Sequence, residues 1–542
     1  MDAELKLIGG QVLDGSGAPA VRGDVAVSGG TITAIGDLSR VKAATVIDCS
    51  GKTITPGFID IHSHSDWLLP GAEHGALIEP FIRQGMTTVV GGNCGFSPAP
   101  ITDVNRDSAH EASRLITDDA IDLRWCSMHE FLDALERGGV SLNIAQLVGH
   151  GSVRAAVTGP LNPAPPSPAE LQQMETLTRE ALDAGCIGVS TGLGYPPGIF
   201  APEDELAAFA RWAACDGKLF TSHLKAYSWL SGAYTTDATQ EPHNLAAIEE
   251  ILRVGKAAGA RVQISHLIFV GRQTWPNHGD AIRLIEEAHR DGLDVAFDAF
   301  PYTAGNTTAS VIFPAAILPR LEEVLESPEE RSSLQAFADM AFGNLGFGLP
   351  DIQIMKANAP RFDQYNGLRV TEAAARAGLD PFDFYCRLVI ESDRNARVLN
   401  HTYSGDRGDE EPLCAVLRHR LCTIETDTFI TYSGYQNPAA YGTFPRVLST
   451  YVKLGLFSLE EALYKMTGAA AERLKWKDRG WVRRGCAADL VVLDLARLQD
   501  TATFDEPARF PIGVEHVFIN GRHVLNGDCY DATARAGRVI RR

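Results

Sequence analysis

The chain has 542 residues. A single hydrophobic core rarely grows beyond about 250 to 300 residues, so we expect more than one structural unit. Hydrophobic residues make up 45% and charged residues 22%, without a biased tract, which excludes a disordered or fibrous chain. The net charge of −19 argues against nucleic acid and membranes as partners, because both favour a positive surface. No basic stretch followed by an apolar one opens the sequence, and we expect a cytoplasmic protein.

The first elements in chain order are short strands. Residues 1–56 alternate apolar with polar side chains and are broken by glycine pairs, as in LKLIGGQVLDG, which is typical of antiparallel strands. The same pattern returns within residues 476–542, in DLVVLDL, GVEHVFINGRHVLNG and GRVIRR. We therefore predict that the two chain ends together form one small β-sandwich domain.

Residues 57–475 show a different pattern, in which short apolar runs alternate with amphipathic segments. This alternation favours repeated β/α units around a parallel sheet. Eight runs qualify as strands, at residues 57–64, 86–95, 142–151, 186–192, 218–223, 261–266, 294–300 and 422–427. The sequence thus predicts an α/β protein whose main domain is a TIM-like (β/α)8 barrel.

Helices between these strands have recognisable start signals. Before one of them, Ser167, Pro168 and Glu170 form a predicted capping box, with the helix extending to about Ala184. More than 100 residues separate the last two strands, and so long a connection is rarely without structure. We predict an inserted lid or subdomain over the barrel at about residues 305–415.

Candidate functional residues follow from the barrel itself, because active sites of such barrels lie at the carboxyl ends of the strands. The polar residues that end the predicted strands are His62, His64, Cys94, His150, His223, His266 and Asp427. His62 and His64 are two residues apart, and on an extended chain their side chains face the same way. Histidine, cysteine and aspartate together are ligands that suit zinc, so we predict a zinc site formed by all of these residues except His150.

Several motifs resemble those of a known enzyme family. TPGFIDIHSHSD, with Pro-Gly before a strand that ends in His-x-His, and the tail segment GCAADLVVLD resemble the amidohydrolase superfamily. GGNCGFSPAP, LVGHGSVR, STGLGYPPGIFA, QISHL, PYTAGNT and YGTFPRVL are similar, in this order, to motifs of the N-acyl-D-amino-acid deacylases, or D-aminoacylases. The resemblance covers nearly the whole chain.

This resemblance implies a metal-dependent hydrolase of a linear amide bond in a small N-acyl substrate, with one or two zinc ions. It implies that Cys94, His223 and His266 hold the tighter ion, and that His62 and His64 complete a second site with Cys94 and Asp427. Zinc polarises the scissile carbonyl and acidifies a water molecule, and Asp427 is expected to accept the proton and return it to the leaving amine.

Two further residues are candidates for the catalytic site. Tyr195 of STGLGYPPG is a candidate hydrogen-bond donor to the developing oxyanion, or else an aromatic residue that packs on the substrate. For His150 we favour a supporting role behind the ligands.

The chain departs from the D-aminoacylase pattern where that family binds the substrate α-carboxylate. The lysine that usually follows QISHL is replaced by Ile268, and the usual His-Pro-Arg by a tripeptide that ends in Ala439. Tyr302 of PYTAG is retained, and Lys225 is either a substitute anchor or a solvated side chain. Loss of two cations removes charge-assisted hydrogen bonds, so we expect a bulkier or less acidic N-acyl substrate.

Other functions remain as alternatives. A cyclic-amide hydrolase such as a hydantoinase or dihydroorotase has the same barrel, but the fourth predicted strand lacks the bridging lysine of those enzymes. A deaminase is disfavoured by Cys94. A non-catalytic scaffold would have lost some ligands, whereas all six are present here. The sequence leaves open whether the chain forms a homo-oligomer.

Overall fold

An eight-stranded parallel sheet forms the centre of the molecule. The computed structural model describes residues 2–117, 121–234, 241–314 and 317–542. The strands, called barrel strands one to eight in chain order, are Phe58–Asp60, Met86–Gly91, Asn143–Gly149, Gly188–Gly192, Leu219–His223, Arg261–Ile264, Val295–Ala299 and Cys422–Ile424. Each lies within one of the eight predicted segments, and each pairs with the next in chain order.

The barrel closes between strands eight and one through residues just beyond their ends. The main-chain N–H of Asp427 donates to the carbonyl of His62 (3.1 Å). Thr426 donates to the Asp60 carboxylate through its main-chain nitrogen (3.1 Å) and its hydroxyl (2.7 Å). These contacts complete the ring, and the predicted TIM-like fold is confirmed.

The helices surround the sheet. Ser167 accepts from the main chain of Glu170, and the predicted capping box starts a helix at Pro168–Asp183, which confirms that prediction. No described helix has the length and apolar character needed to cross a membrane. The helices of the barrel layer are His74–Leu77, Glu79–Arg83, Arg106–Ile116, Met128–Gly138, His150–Thr158, Pro168–Asp183, Glu203–Cys215, His243–Ala258, His278–Arg290, Glu411–Arg418, Ala439–Arg446, Leu459–Met466 and Gly468–Arg473.

The long connection between strands seven and eight has its own sheet and its own core. Three antiparallel strands, Gly305–Thr308, Ile352–Lys356 and Arg397–Asn400, lie in the order first, third, second. A separate hydrophobic cluster packs beneath them. The helices here are Leu321–Glu326, Pro328–Leu345, Val370–Ala377 and Pro381–Glu391. We call this region the inserted subdomain, and its function as a lid stays a prediction.

Strands from both chain ends form a second, mixed sheet. Its first strand, Ala3–Val12, has a bulge between Leu7 and Gly10, and it pairs with Ala43–Asp48 before the bulge and with Thr53–Pro56 after it. The remaining strands are Val21–Ser28, Thr31–Gly36, Leu490–Leu493, Val514–Ile519, Arg522–Asn526 and Cys529–Tyr530. The two ends thus build one β domain, in agreement with the predicted fold class.

The last strand differs from the prediction for the chain end. Val539–Ile540 pairs in parallel with Ile144 and Ala145 of barrel strand three and does not join the terminal sheet. Barrel strand four pairs with strand three only from Leu147 onward. The first half of strand three therefore has an edge that strand four does not cover, and this edge needs another partner. The chain end supplies it.

Candidate metal centre

The structure brings the six predicted metal ligands together at the carboxyl end of the barrel. Their donor atoms form two groups, and within each group the atoms lie within 4.8 Å of one another. One group is His62, His64, Cys94 and Asp427, and the other is Cys94, His223 and His266. Cys94 belongs to both, so its sulfur lies between two adjacent candidate ion positions.

The contacts within the three-residue group are short. The Cys94 sulfur lies 3.7 Å from Nδ1 of His223 and 3.5 Å from Nε2 of His266. These two ring nitrogens are 3.0 Å apart. Two neutral imidazoles that face each other this closely can share only one proton, whereas a cation accepts electron pairs from both rings and from the sulfur.

The four-residue group is equally close. Nε2 of His62 lies 3.2 Å from the Cys94 sulfur and 3.4 Å from a carboxylate oxygen of Asp427. The same oxygen is 3.5 Å from Nε2 of His64. Barrel strand one ends at Asp60, so the two histidines lie just beyond the strand, and both rings still face Asp427.

Three of the ligands have an unusual backbone conformation. The φ angles of Cys94, His266 and Asp427 are 55°, 32° and 45°, in the left-handed region that side-chain-bearing residues rarely adopt. Such strain persists where the surrounding structure enforces it, commonly at functional sites. Each of these residues follows the end of its barrel strand by two or three positions, at the carboxyl end of the barrel.

Electrostatics favour a deprotonated sulfur. Burial by itself raises the pKa of Cys94, but the charge of His62 and hydrogen bonds from His223 and His266 outweigh it and bring the pKa well below its usual range. Asp427 behaves similarly, because the neighbouring histidines overcome the effect of burial and lower its pKa. A thiolate, a carboxylate and imidazole nitrogens form a donor set that zinc prefers, so the chemistry of these residues fits a zinc ion.

One further residue at the site was not singled out from the sequence. Asp298, at barrel strand seven, accepts from the main-chain N–H of His266 (2.6 Å), and the same oxygen lies 3.4 Å from Nδ1 of His62. A carboxylate behind a metal-binding histidine fixes the orientation of the ring. In the predicted strand DVAFDAF, the second aspartate is Asp298, and its position between apolar residues was the signal that could have identified it.

Tyr195 lies beside the ligands. Its ring centroid is 4.9 Å from that of His223, and the ring stacks on Phe96 with 5.1 Å between centroids. The phenol donates a hydrogen bond to the main-chain carbonyl of Cys94 (2.8 Å). Burial and the charge of Cys94 raise its pKa well above the usual range, so the phenol keeps its proton.

His150 is placed differently from the other predicted residues. It begins helix His150–Thr158, and its Nε2 pairs with the carboxylate of Glu205 at 2.8 Å. Arg154 pairs with the same carboxylate. In the described part of the chain His150 belongs to neither ligand group, and its expected role in support of the catalytic site stays a prediction.

Lys225 has a partner that the sequence could not indicate. Its ammonium group lies 2.7 Å from the carboxylate of Glu250, on helix His243–Ala258, and 5.4 Å from the ring centroid of Tyr234. Tyr234 also donates to Glu250, at 2.6 Å. Because Glu250 balances its charge, Lys225 is a weaker candidate for binding a substrate carboxylate.

The other predicted substrate residues are buried. The hydroxyl of Tyr302 donates to Asp500 (3.0 Å), and its ring lies 4.8 Å from the Arg446 guanidinium. Ile268 and Ala439 are 8% and 0% exposed and belong to the main hydrophobic core. None of these three side chains carries a positive charge, and the altered carboxylate pocket stays a prediction.

Comparison with known proteins agrees with this geometry. The sequence profile of the amidohydrolase family matches residues 45–327 and 438–525. A D-aminoacylase from Alcaligenes xylosoxydans xylosoxydans is 33% identical over 541 residues, which cover 99% of this chain and 98% of that protein. An N-acyl-D-glutamate deacylase from Bordetella bronchiseptica, solved with zinc and a phosphonate inhibitor that mimics the tetrahedral intermediate, has a TM-score of 0.81 and 30% identity over the full length of both chains.

A structure of a D-aminoacylase with a binuclear metal centre is similar as well, with a TM-score of 0.79, 30% identity and full coverage of both chains. Both the sequence and the complete fold thus match metal-dependent deacylases. The chain belongs to the amidohydrolase family, in the group that contains the D-aminoacylases.

Proposed function

We propose that the protein is a zinc-dependent hydrolase of a linear amide bond in a small N-acyl compound. The observation that carries this proposal is the convergence of six side chains, from five barrel strands, into two groups that share Cys94. Relatives with this fold and these motifs are named as deacylases of N-acyl-D-amino acids.

In this proposal Cys94, His223 and His266 hold one zinc ion, and His62, His64, Cys94 and Asp427 hold a second. Bound zinc would polarise the scissile carbonyl and lower the pKa of a water molecule. The low pKa of Cys94 supports this assignment, because only the thiolate form binds a metal ion.

Asp427 is the proposed general base and acid. Its carboxylate is 22% exposed, so it can contact both the ligand groups and a substrate above them. One carboxylate oxygen accepts the proton of the attacking water and then returns it to the amide nitrogen as the amine leaves. Tyr195 would exchange its hydrogen bond to the Cys94 carbonyl for one to the carbonyl oxygen of the substrate.

The substrate we propose lacks the strong α-carboxylate contacts of an N-acyl-D-amino acid. Ile268 and Ala439 are apolar, and Glu250 balances the charge of Lys225. A pocket without a free cation at these positions gains little from a carboxylate next to the scissile bond. We therefore infer a bulkier substrate, or one less acidic near the amide.

The experiment is a substrate profile of the zinc-loaded protein, with zinc content measured on the same sample. N-acyl-D-amino acids, N-acyl-L-amino acids, neutral alkyl and aryl amides, and a hydantoin are compared. We expect turnover of linear amides and a loss of at least about a hundredfold in Asp427→Asn. Turnover of the hydantoin alone would favour a cyclic-amide hydrolase, and zinc-free protein from a preparation without chelator would favour a scaffold.

A further inference from the structure

A chain of buried hydrogen bonds runs through the interior of the barrel below the metal ligands. One carboxylate oxygen of Asp298 faces the main chain of His266 and the ring of His62. The other oxygen accepts from the side-chain amide of Gln263 at 2.6 Å. The oxygen of that amide accepts in turn from Nε of Arg473 at 2.9 Å. Gln263 and Asp298 are 1% exposed and Arg473 is 8% exposed, and we call these three residues the barrel relay.

Arg473 lies at the amino end of the barrel, opposite the metal ligands. Its guanidinium donates to the main-chain carbonyl of Val262 and to the carboxylate of Asp294, at the start of barrel strands six and seven. Arg261 donates to the main-chain carbonyl of Arg473 at 2.7 Å and to Asp294 at 2.8 Å. Burial lowers the pKa of Arg473 to about 10, so the guanidinium keeps its charge at neutral pH. All three of its nitrogens have acceptors, which fixes its orientation.

The chemistry of the three side chains gives the barrel relay a single direction. A guanidinium has only donors, so the oxygen of the Gln263 amide must face Arg473. The NH2 group of Gln263 then faces Asp298, and this group can only donate. Asp298 therefore accepts at this oxygen, while its other oxygen accepts from the main-chain N–H of His266 at 2.6 Å. With a donor fixed on each side, the carboxylate is held in one orientation.

The fixed carboxylate determines which nitrogen of His62 carries a hydrogen. The Asp298 oxygen that accepts from His266 also lies 3.4 Å from the buried Nδ1 of His62, which has no other partner in the described part of the chain. A carboxylate only accepts, so Nδ1 carries a hydrogen and Nε2 is the nitrogen left to bind an ion. Nε2 is the atom that faces the Cys94 sulfur (3.2 Å) and the Asp427 carboxylate (3.4 Å).

We propose that Arg473 and Gln263 are positioning residues of the metal centre, which act through Asp298 to present Nε2 of His62 to the ion. This inference rests on the proposed zinc binding and extends the metal centre to a residue at the opposite end of the barrel. A buried arginine that only stabilised the fold would have no specific effect on the ligands. The barrel relay instead requires that any effect of Arg473 on zinc passes through Gln263.

The test is a double-mutant cycle on zinc affinity, measured by competition with a chromophoric chelator on the full-length protein. Gln263→Met and Arg473→Met should each lower zinc affinity by about tenfold, the lower end of the range for residues behind a metal ligand. The variant with both substitutions should bind zinc no more weakly than Gln263→Met alone, because the two residues act in series. Arg473→Lys keeps a cationic donor and should recover part of the affinity.

A matched variant separates this effect from a general loss of stability. Arg479 is 5% exposed and donates to the buried carboxylate of Asp489 at 2.5 Å. Asp489 also accepts from Asn143 (3.0 Å), the first residue of barrel strand three, so this pair lies at the amino end of the barrel as well. Arg479→Met should lower the melting temperature but leave zinc affinity unchanged. If Arg473→Met does not fold, Gln263→Met, which nearly preserves side-chain volume, provides the measurement.

The outcomes separate the two proposals. If the unsubstituted protein binds no zinc, the proposed function itself is wrong. If it binds zinc and Gln263→Met binds the ion equally tightly, the barrel relay does not position His62. Losses of affinity that multiply in the double variant would show that Arg473 acts by another route, and an equal loss in Arg479→Met would assign the effect to stability. Either result overturns the inference.

Discussion

Replacement of Asp298 by asparagine tests how the buried carboxylate controls the metal centre. Asp298 is 1% exposed. One of its oxygens accepts from the His266 main chain (2.6 Å) and lies 3.4 Å from Nδ1 of His62, and the other accepts from the Gln263 amide (2.6 Å). Asparagine has the same shape, but one oxygen becomes an NH2 group, so one of these donors must face another donor.

The magnitude follows from these contacts. A hydrogen bond to a charged group contributes about 1.5 to 3 kcal/mol, and a buried donor left without an acceptor costs about 1 to 3 kcal/mol. We therefore expect Asp298→Asn to lower the free energy of unfolding of the zinc-free protein by about 2 kcal/mol. Because His62 and His266 lose their common anchor, zinc affinity should fall by about 10- to 100-fold.

Urea unfolding without zinc measures the first effect, and competition with a chromophoric chelator measures the second. Asp528→Asn, at an exposed aspartate, is the matched control and should change neither quantity. Wild-type zinc affinity in Asp298→Asn would refute the reasoning, because it would show that this carboxylate does not orient the two histidines.

Three further substitutions have defined outcomes. Cys94→Ser should remove the thiolate shared by both ligand groups and abolish tight zinc binding, as measured by metal analysis after dialysis. Lys225→Met should leave the Glu250 carboxylate without its cation and lower the free energy of unfolding by roughly 1 to 3 kcal/mol, less than a fully buried pair loses. Burial lowers the pKa of His401 from 6.5 to about 3, helped by nearby arginines. The unfolded state therefore takes up the proton first, and stability is lost as the pH falls from 6.5 towards 3, by at most about 1.4 kcal/mol per pH unit. His401→Gln should flatten this part of the curve of unfolding free energy against pH.

Each of these has a control and a contradicting result. If Cys94→Ser still retains one zinc ion per chain, other residues must be the ligands of that ion. The double substitution Lys225→Met with Glu250→Gln should restore most of the lost stability. If Lys225→Met leaves the stability unchanged and removes selectivity for anionic substrates, Lys225 binds the substrate. For His401, an unaltered acid slope in His401→Gln would assign the loss to other groups.

The sequence by itself determined the barrel and its ligands. Eight apolar runs marked the barrel strands, and in such a fold the carboxyl ends of all strands meet at one face, so residues as distant as His62 and Asp427 could be placed together before any coordinates. The exchange of two family cations for Ile268 and Ala439 was equally visible, because it depends on residue identity alone.

Only the tertiary structure decided which partner each polar side chain meets. Three candidate site residues pair with acidic residues that are distant in the sequence. The separations are 25 residues for Lys225 and Glu250, 55 for His150 and Glu205, and 198 for Tyr302 and Asp500. Repeating patterns in a sequence report which face of an element is buried, whereas pairwise contacts between distant segments depend on packing that no local pattern encodes.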